Sequence, residues 1–267
     1  MSNAAMFDLT GKVAVVSGAA GGLGSAICAG LAAAGADIVL LDLDAATLAT
    51  AAASVEAEGR QALAIEGDAA DEQSVEDAFA QIDKTFGKVD ILVNLPFATI
   101  SGAPELLSLD DWNAAFRSNV TSYFLCCRQA ARRMIDSGNG GAIMNMCSIA
   151  GTSALGRGSF AYSVGKGGVA MLTKEMAIEW AHHGIRVNAI QPCQFLTPGL
   201  KLAIVARGRG DLMDKFLSGI PLNRLGEPHE MVGPVLFLVS DAAAMVTGVL
   251  LPVDGGNLAF NAGGTKD

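Results

Sequence analysis

Charge is scarce in this chain. Of 267 residues only 17% are Asp, Glu, Lys or Arg, and 18 basic against 27 acidic side chains leave a net charge of -9. Binding to nucleic acid depends on clustered Lys and Arg that neutralise phosphates, so that class of partner is excluded. Cysteine is sparse as well. The five present are an odd number without Cys-x-x-Cys spacing, and Cys126 and Cys127 are adjacent, which points away from a disulfide framework or a zinc site. A reducing cytoplasm is the expected location. The three histidines, His182, His183 and His229, share no metal-like grouping with carboxylates or cysteines, so no metal is expected. No segment approaches the ~18 uninterrupted apolar residues that a membrane span requires. The richest stretch, 231–253, is broken by Pro234, Asp241 and Pro252. The first five residues are neither basic nor followed by an apolar run, and do not read as a signal peptide.

Apolar side chains, by contrast, are plentiful at 51%, enough for the core of one large α/β domain. Short runs rich in Val, Ile and Leu at 13–17, 38–41, 62–65, 89–93, 142–146 and 186–190 alternate with longer Ala-rich segments of helical period, and a last run falls at 249–253. Because these runs are apolar throughout, both faces of the sheet should be covered by helices. That predicts a doubly wound parallel sheet of about seven strands, a Rossmann fold in a single domain spanning 1–267. Gly35, Gly59, Gly87 and Gly184 fall where helix-ending glycines are expected. Pro198, Gly199, Gly208 and Gly210 interrupt the rhythm, so 195–220 reads as a mobile helical insertion over a substrate.

The first strand runs into Gly18-Ala-Ala-Gly-Gly22-Leu-Gly24 and then a helix, a context that can place a pyrophosphate on a helix N-terminus. Asp42 ends the second strand 18 residues after Gly24, where a carboxylate can accept hydrogen bonds from ribose hydroxyls and repel a 2′-phosphate. This favours NAD, unless Asp42 only caps the next helix. Tyr162 and Lys166, four positions apart, share one helix face. A free phenol ionises only near pH ~10, so a tyrosine base at neutral pH needs a neighbouring positive charge such as Lys166. Ser148 lies just past the fifth strand, at the carboxyl edge of the sheet where open α/β folds bind ligands.

The Gly-x-x-x-Gly-x-Gly spacing, together with Ser148 placed 14 residues before Tyr-x-x-x-Lys, resembles the short-chain dehydrogenase/reductase family over residues 9–256. The resemblance implies an oxidoreductase that interconverts a secondary alcohol and a ketone. Ser148 would orient the substrate oxygen, Tyr162 would exchange its proton, and Lys166 would lower the tyrosine pKa and bond the nicotinamide ribose. Asn119 matches the family's asparagine that holds a water beside the lysine, or is an asparagine bonded locally within its helix. Beyond Tyr162 and Lys166, the implied cofactor contacts are Ser17, Gly18, Gly22, Leu23, Gly24, Asp42, Leu43, Asp68, Ala69, Asn94, Pro192, Phe195 and Thr197. Basic residues that NADP-preferring members carry are missing at Ala19, Ala20 and Leu43.

Two departures from the family pattern stand out. Leu95, Pro96 and Phe97 replace the rest of an Asn-Asn-Ala-Gly turn, and Cys193 replaces a glycine after Pro192. Phe97 is either a wall of the substrate pocket or a packing residue, and Cys193 borders the same pocket as a thiol that is either buried and inert or reactive. Other stretches resemble gluconate and polyol dehydrogenases and also 3-oxoacyl-carrier-protein reductases. The expected substrate is therefore a small alcohol or ketone, such as a sugar acid or polyol. Reduction of a carrier-bound carbonyl, or a nucleotide-binding relative with impaired catalysis, is the alternative. In the insertion, Lys201, Arg207 and Arg209 could meet a carboxylate, whereas Leu196, Leu200, Leu202 and Ile204 could cover an apolar ketone. The helices at 112–134 and 160–182 resemble the family's dimer-forming pair, which implies a homotetramer.

Overall fold

The computed structural model describes residues 3–156, 158–206 and 209–260, with side chains omitted at 3, 4 and 209–211. Its strands are β1 (Val13–Ser17), β2 (Asp37–Asp42), β3 (Ala62–Glu66), β4 (Ile91–Asn94), β5 (Gly141–Met146), β6 (Ile185–Pro192) and β7 (Leu250–Val253). All pair in parallel into one sheet of order β3-β2-β1-β4-β5-β6-β7. The helices are α1 (Gly22–Ala33), α2 (Ala45–Ala57), α3 (Glu72–Thr85), α4 (Leu109–Phe116), α5 (Ser122–Ser137), α6 (Phe160–Glu179), α7 (Pro198–Ala206), α8 (Arg209–Ser218) and α9 (Val232–Val239).

The unbroken apolar character of the strands has the consequence expected of it. Ala14 and Val16 point into a core shared with Ile27 and Leu31 of α1, Val55 of α2 and Val235 of α9. Their neighbours Val13 and Val15 point into the opposite core, with Phe79 of α3 and Leu125 and Met134 of α5. Successive strand residues alternate sides, so a strand covered on both faces must be apolar at every position. All four glycines predicted to follow helices adopt positive φ, from 66° at Gly87 to 105° at Gly35. Among the described residues no helix is long and apolar enough to cross a membrane.

Two elements differ from the sequence reading, and the structure also decides which residue caps α2. The fourth strand begins at Ile91, because Asp90 is drawn off to accept the Val13 N–H (2.9 Å) and to pair with Lys88 (2.9 Å). The helix expected to run through 112–134 is divided by a π-turn, Arg117–Thr121, in which the Ser122 N–H reaches back to the Arg117 carbonyl. Such turns put one extra residue into the helical ladder and recur at functional sites. The cap of α2 is Asp44, whose carboxylate accepts from the N–H groups of Ala46 (2.9 Å) and Thr47 (3.3 Å), so Asp42 is free of that duty.

Candidate active site

The carboxyl ends of β1, β2 and β4 open onto a cavity of about 370 Å³. Gly18, Asp42, Leu43, Asp68 and Ala69 line it, joined by Pro96 and Phe97 from the substituted turn. Gly18 has φ +75°, a conformation that glycine adopts without cost. The Asp42 carboxylate is held by the N–H groups of Ala20 (2.8 Å) and Leu43 (2.7 Å), which fixes an acceptor in the wall. Asp68 accepts from the Ala70 N–H (2.8 Å) and from Arg117 of the π-turn (2.8 Å). At the head of α1 a Cβ on Gly22 would lie 2.7 Å from Pro198 Cδ and 3.0 Å from Thr197 Cβ. Glycine there lets the segment after β6 close against the phosphate loop. A glycine cradle, open amides at a helix N-terminus and a fixed carboxylate make a donor and acceptor set that fits an adenine dinucleotide.

Several of the predicted cofactor residues sit deeper. Ser17 and Asn94 are fully buried, and Ser17 Oγ donates to Asn94 Oδ1 (2.8 Å). Asn94 Nδ2 donates to Asn145 Oδ1 (3.0 Å), and Asn145 Nδ2 to Thr173 Oγ1 (3.1 Å). This chain ties β1, β4, β5 and α6 together beneath the cavity floor. Leu23 and Gly24 lie in the first turn of α1, and Pro192 ends β6 beside Val253. Phe195 is buried with its ring against Gly226, and Thr197 donates its N–H to the Phe195 carbonyl (2.7 Å).

The reacting groups gather at β5, α5 and α6. Ser148 follows β5, and its Oγ accepts the Ala150 N–H (3.1 Å) while its carbonyl accepts from Gln191 Nε2 (3.1 Å). Tyr162 and Lys166 stand on α6, with the Lys166 Nζ 5.9 Å from the centre of the Tyr162 ring. Lys166 is only 1% exposed. Its ammonium donates to the Met146 carbonyl (2.8 Å), two residues before Ser148, and to the hydroxyl of Tyr123 (2.9 Å). Burial pulls the lysine pKa down from its ordinary value to about 7, because the charged form is poorly solvated there. Two glycines permit the approach: a Cβ on Gly151 would lie 2.9 Å from the Lys166 carbonyl oxygen, and one on Gly165 would lie 3.1 Å from Asn119 Cβ. Asn119 sits in the π-turn, donating from Nδ2 to the carbonyls of Ala98 and Ala115 (both 2.9 Å), while its buried Oδ1 finds no partner among the described residues.

Phe97 and Cys193 do not share a cavity. Phe97 is 67% exposed beside the phosphate loop. Cys193 borders a second cavity of about 570 Å³ with Arg224, Glu230 and Asp254. Burial and the nearby Asp254 charge push its thiol up to about 11. It also packs with an apolar cluster in which Leu196, Leu200 and Ile204 of the insertion meet Leu212, Met213 and Phe216 of α8. Leu202 and Lys201 face outward. Arg207 and the Arg209 side chain lie outside the described residues. The residues that sequence reasoning missed are Tyr123, Gln191 and Gly151. Tyr123 is one of only two tyrosines and lies four residues after Asn119, a coincidence that could have flagged it.

A parallel doubly wound sheet, a glycine loop with an acidic wall, and Ser, Tyr and Lys at one sheet edge define a dinucleotide-dependent alcohol/ketone oxidoreductase. The family model described as enoyl-(acyl carrier protein) reductase matches residues 18–257. The chain belongs to the short-chain dehydrogenase/reductase family. It is 40% identical to D-threitol dehydrogenase of Mycolicibacterium smegmatis over 250 residues, covering 94% of each chain. It is 36% identical to gluconate 5-dehydrogenase of Gluconobacter oxydans over 257 residues, 96% of this chain and 98% of the other. The solved gluconate 5-dehydrogenase of Burkholderia cenocepacia, in complex with NADP and tartrate, superposes with a TM-score of 0.90 at 33% identity. That superposition covers 97% of this chain and 99% of the other.

Proposed function

We propose that the protein is an NAD-dependent dehydrogenase that oxidises a secondary alcohol of a polyol or sugar acid to the ketone. The observation that carries this reading is that Lys166 stands by the Tyr162 ring and bonds the Met146 carbonyl, two residues before Ser148, on the same carboxyl edge of the sheet as a cavity walled by the Asp42 carboxylate. Ser148 holds the substrate hydroxyl. Tyr162 takes its proton, and the Lys166 ammonium favours the phenolate that does so. The nicotinamide, when bound, supplies the hydride acceptor. Gly18, Gly22, Leu43, Asp68 and Ala69 would hold the dinucleotide with Asp42, and Thr197 would close over it. The choice of NAD rests on Asp42, whose negative charge opposes a 2′-phosphate, although the Burkholderia cenocepacia relative was solved with NADP. The polyol or sugar-acid class rests on the names of the relatives. The chain works as one domain in which α7 and α8 cover the substrate.

Five free cysteines, four of them buried, accord with a cytoplasmic setting. Exposed apolar side chains on the outer faces of α5 and α6, namely Phe124, Val164, Met171 and Ile178, support association through these helices into a homotetramer. The test is a panel of polyols, sugar acids, hydroxysteroids and simple alcohols with NAD or NADP, following reduced-cofactor absorbance. Tyr162→Phe should lower kcat by about 10²-fold or more and leave NAD binding by calorimetry intact. Near-normal turnover in that variant would refute the role of Tyr162. Turnover confined to carrier-bound carbonyls with NADPH would refute the substrate class.

A further inference from the structure

We infer that Tyr123 is a positioning residue for Lys166: its hydroxyl, tied to the substituted turn at Pro96, fixes the ammonium where it can act on Tyr162. This rests on the dehydrogenase reading above. Tyr123 is wholly buried, and its hydroxyl meets three groups: Lys166 Nζ at 2.9 Å, the Met146 carbonyl at 2.8 Å and the Pro96 carbonyl at 3.0 Å. A phenol has one proton to give and can also accept. Both nearby carbonyls can take the phenol proton, since the Met146 oxygen has two lone pairs and only one receives a Lys166 N–H; Lys166 therefore donates to Tyr123, and the Tyr123 proton is shared between Met146 and Pro96.

Pro96 belongs to the Leu95-Pro96-Phe97 segment that departs from the family turn, and Tyr123 follows the π-turn that carries Asn119. Carbonyls from this turn and from the end of β5 thus anchor the tyrosine hydroxyl, and the hydroxyl accepts from the lysine. An ammonium offers three donors, and these two bonds leave one for the side of the cofactor. The titratable groups around Nζ are Tyr123 from α5, Tyr162 from its own helix and Cys147 at the end of β5, and no carboxylate pairs with it among the described residues. Two oxygen acceptors therefore favour the charged form of this buried amine, against the burial that opposes it. Burial also holds the Tyr123 pKa well above its ordinary value, so its hydroxyl stays neutral and acts as an anchor.

The test is Tyr123→Phe, which keeps the ring and removes the oxygen. In cofactor-free protein carrying lysine labelled with 13C at Cε, the Lys166 titration read by NMR should move to lower pH by about one unit, since a hydrogen bond to a charged group favours that form. This readout needs no substrate, so it stands even if the dehydrogenase reading fails, and an unmoved titration overturns the inference. With an active substrate in hand, kcat near neutral pH should fall about tenfold or more. The limb of the kcat profile that reports the lysine should shift to lower pH, with KM for the alcohol little changed. An equal loss at every pH, limbs in place, indicates a merely structural role and overturns it. If the variant does not fold, the unsubstituted protein decides. A slowly exchanging Tyr123 hydroxyl proton with a nuclear Overhauser contact to the Lys166 Cε protons supports the anchor, and its absence overturns it.

Discussion

Replacing Lys166 by Met should make the cofactor-free protein more stable near neutral pH while abolishing its chemistry. Unfolded lysine titrates near pH ~10.4, whereas buried Lys166 titrates at about 7. Between those values the unfolded chain binds a proton that the native protein lacks, so native stability rises with pH across this window at about 1.4 kcal/mol per unit. At and below pH 7 the whole penalty is present, roughly 4–5 kcal/mol. Met fills most of the same space without charge; the Met146 carbonyl and the Tyr123 hydroxyl each lose one bond but keep the one between them, so the combined cost is about 1–3 kcal/mol. The variant should gain about 1–4 kcal/mol at pH 7, an upward Tm shift of a few degrees or more for a chain of this size. Its advantage should shrink to nothing or reverse by pH ~10. Urea and thermal unfolding of both proteins at pH 6, 7, 8 and 9 would show this as a sloping difference. A difference that is flat with pH, or a variant less stable at pH 7, would refute the claim that burial opposes the charge on Lys166.

The other outcomes concern the acidic wall and the thiol. Asp42→Ala removes the carboxylate fixed by the Ala20 and Leu43 amides. At an effective dielectric of ~20, a unit charge ~6 Å away contributes about 3 kcal/mol, so the kcat/KM ratio of NAD over NADP should fall by about 100-fold; an unchanged ratio would remove Asp42 as the selector. Cys193 should react with iodoacetamide at pH 7.5 about 100-fold more slowly than a free thiol, because its thiolate is rare when the pKa is about 11. Rapid labelling of the native protein would show that the thiol is activated.

The linear sequence determined whatever depends on short-range pattern. Unbroken Val, Ile and Leu runs specify strands buried on two faces, and all seven appear within a few residues of their predicted places. Spacing placed Ser148, Tyr162 and Lys166, because four positions on a helix and the end of a strand are local facts. Tertiary structure alone decided which of these groups bond to one another. Tyr123 and Pro96 are separated by 27 residues in the chain and Tyr123 and Lys166 by 43, and no periodicity reports a hydrogen bond across such distances. The π-turn at Asn119 needed the whole packed helix layer, since an inserted residue leaves the apolar spacing of its flanks nearly unchanged. The pKa of Lys166 is likewise a property of burial. A lysine in the sequence is an ordinary base, and only a core folded around it removes the water that kept its charge.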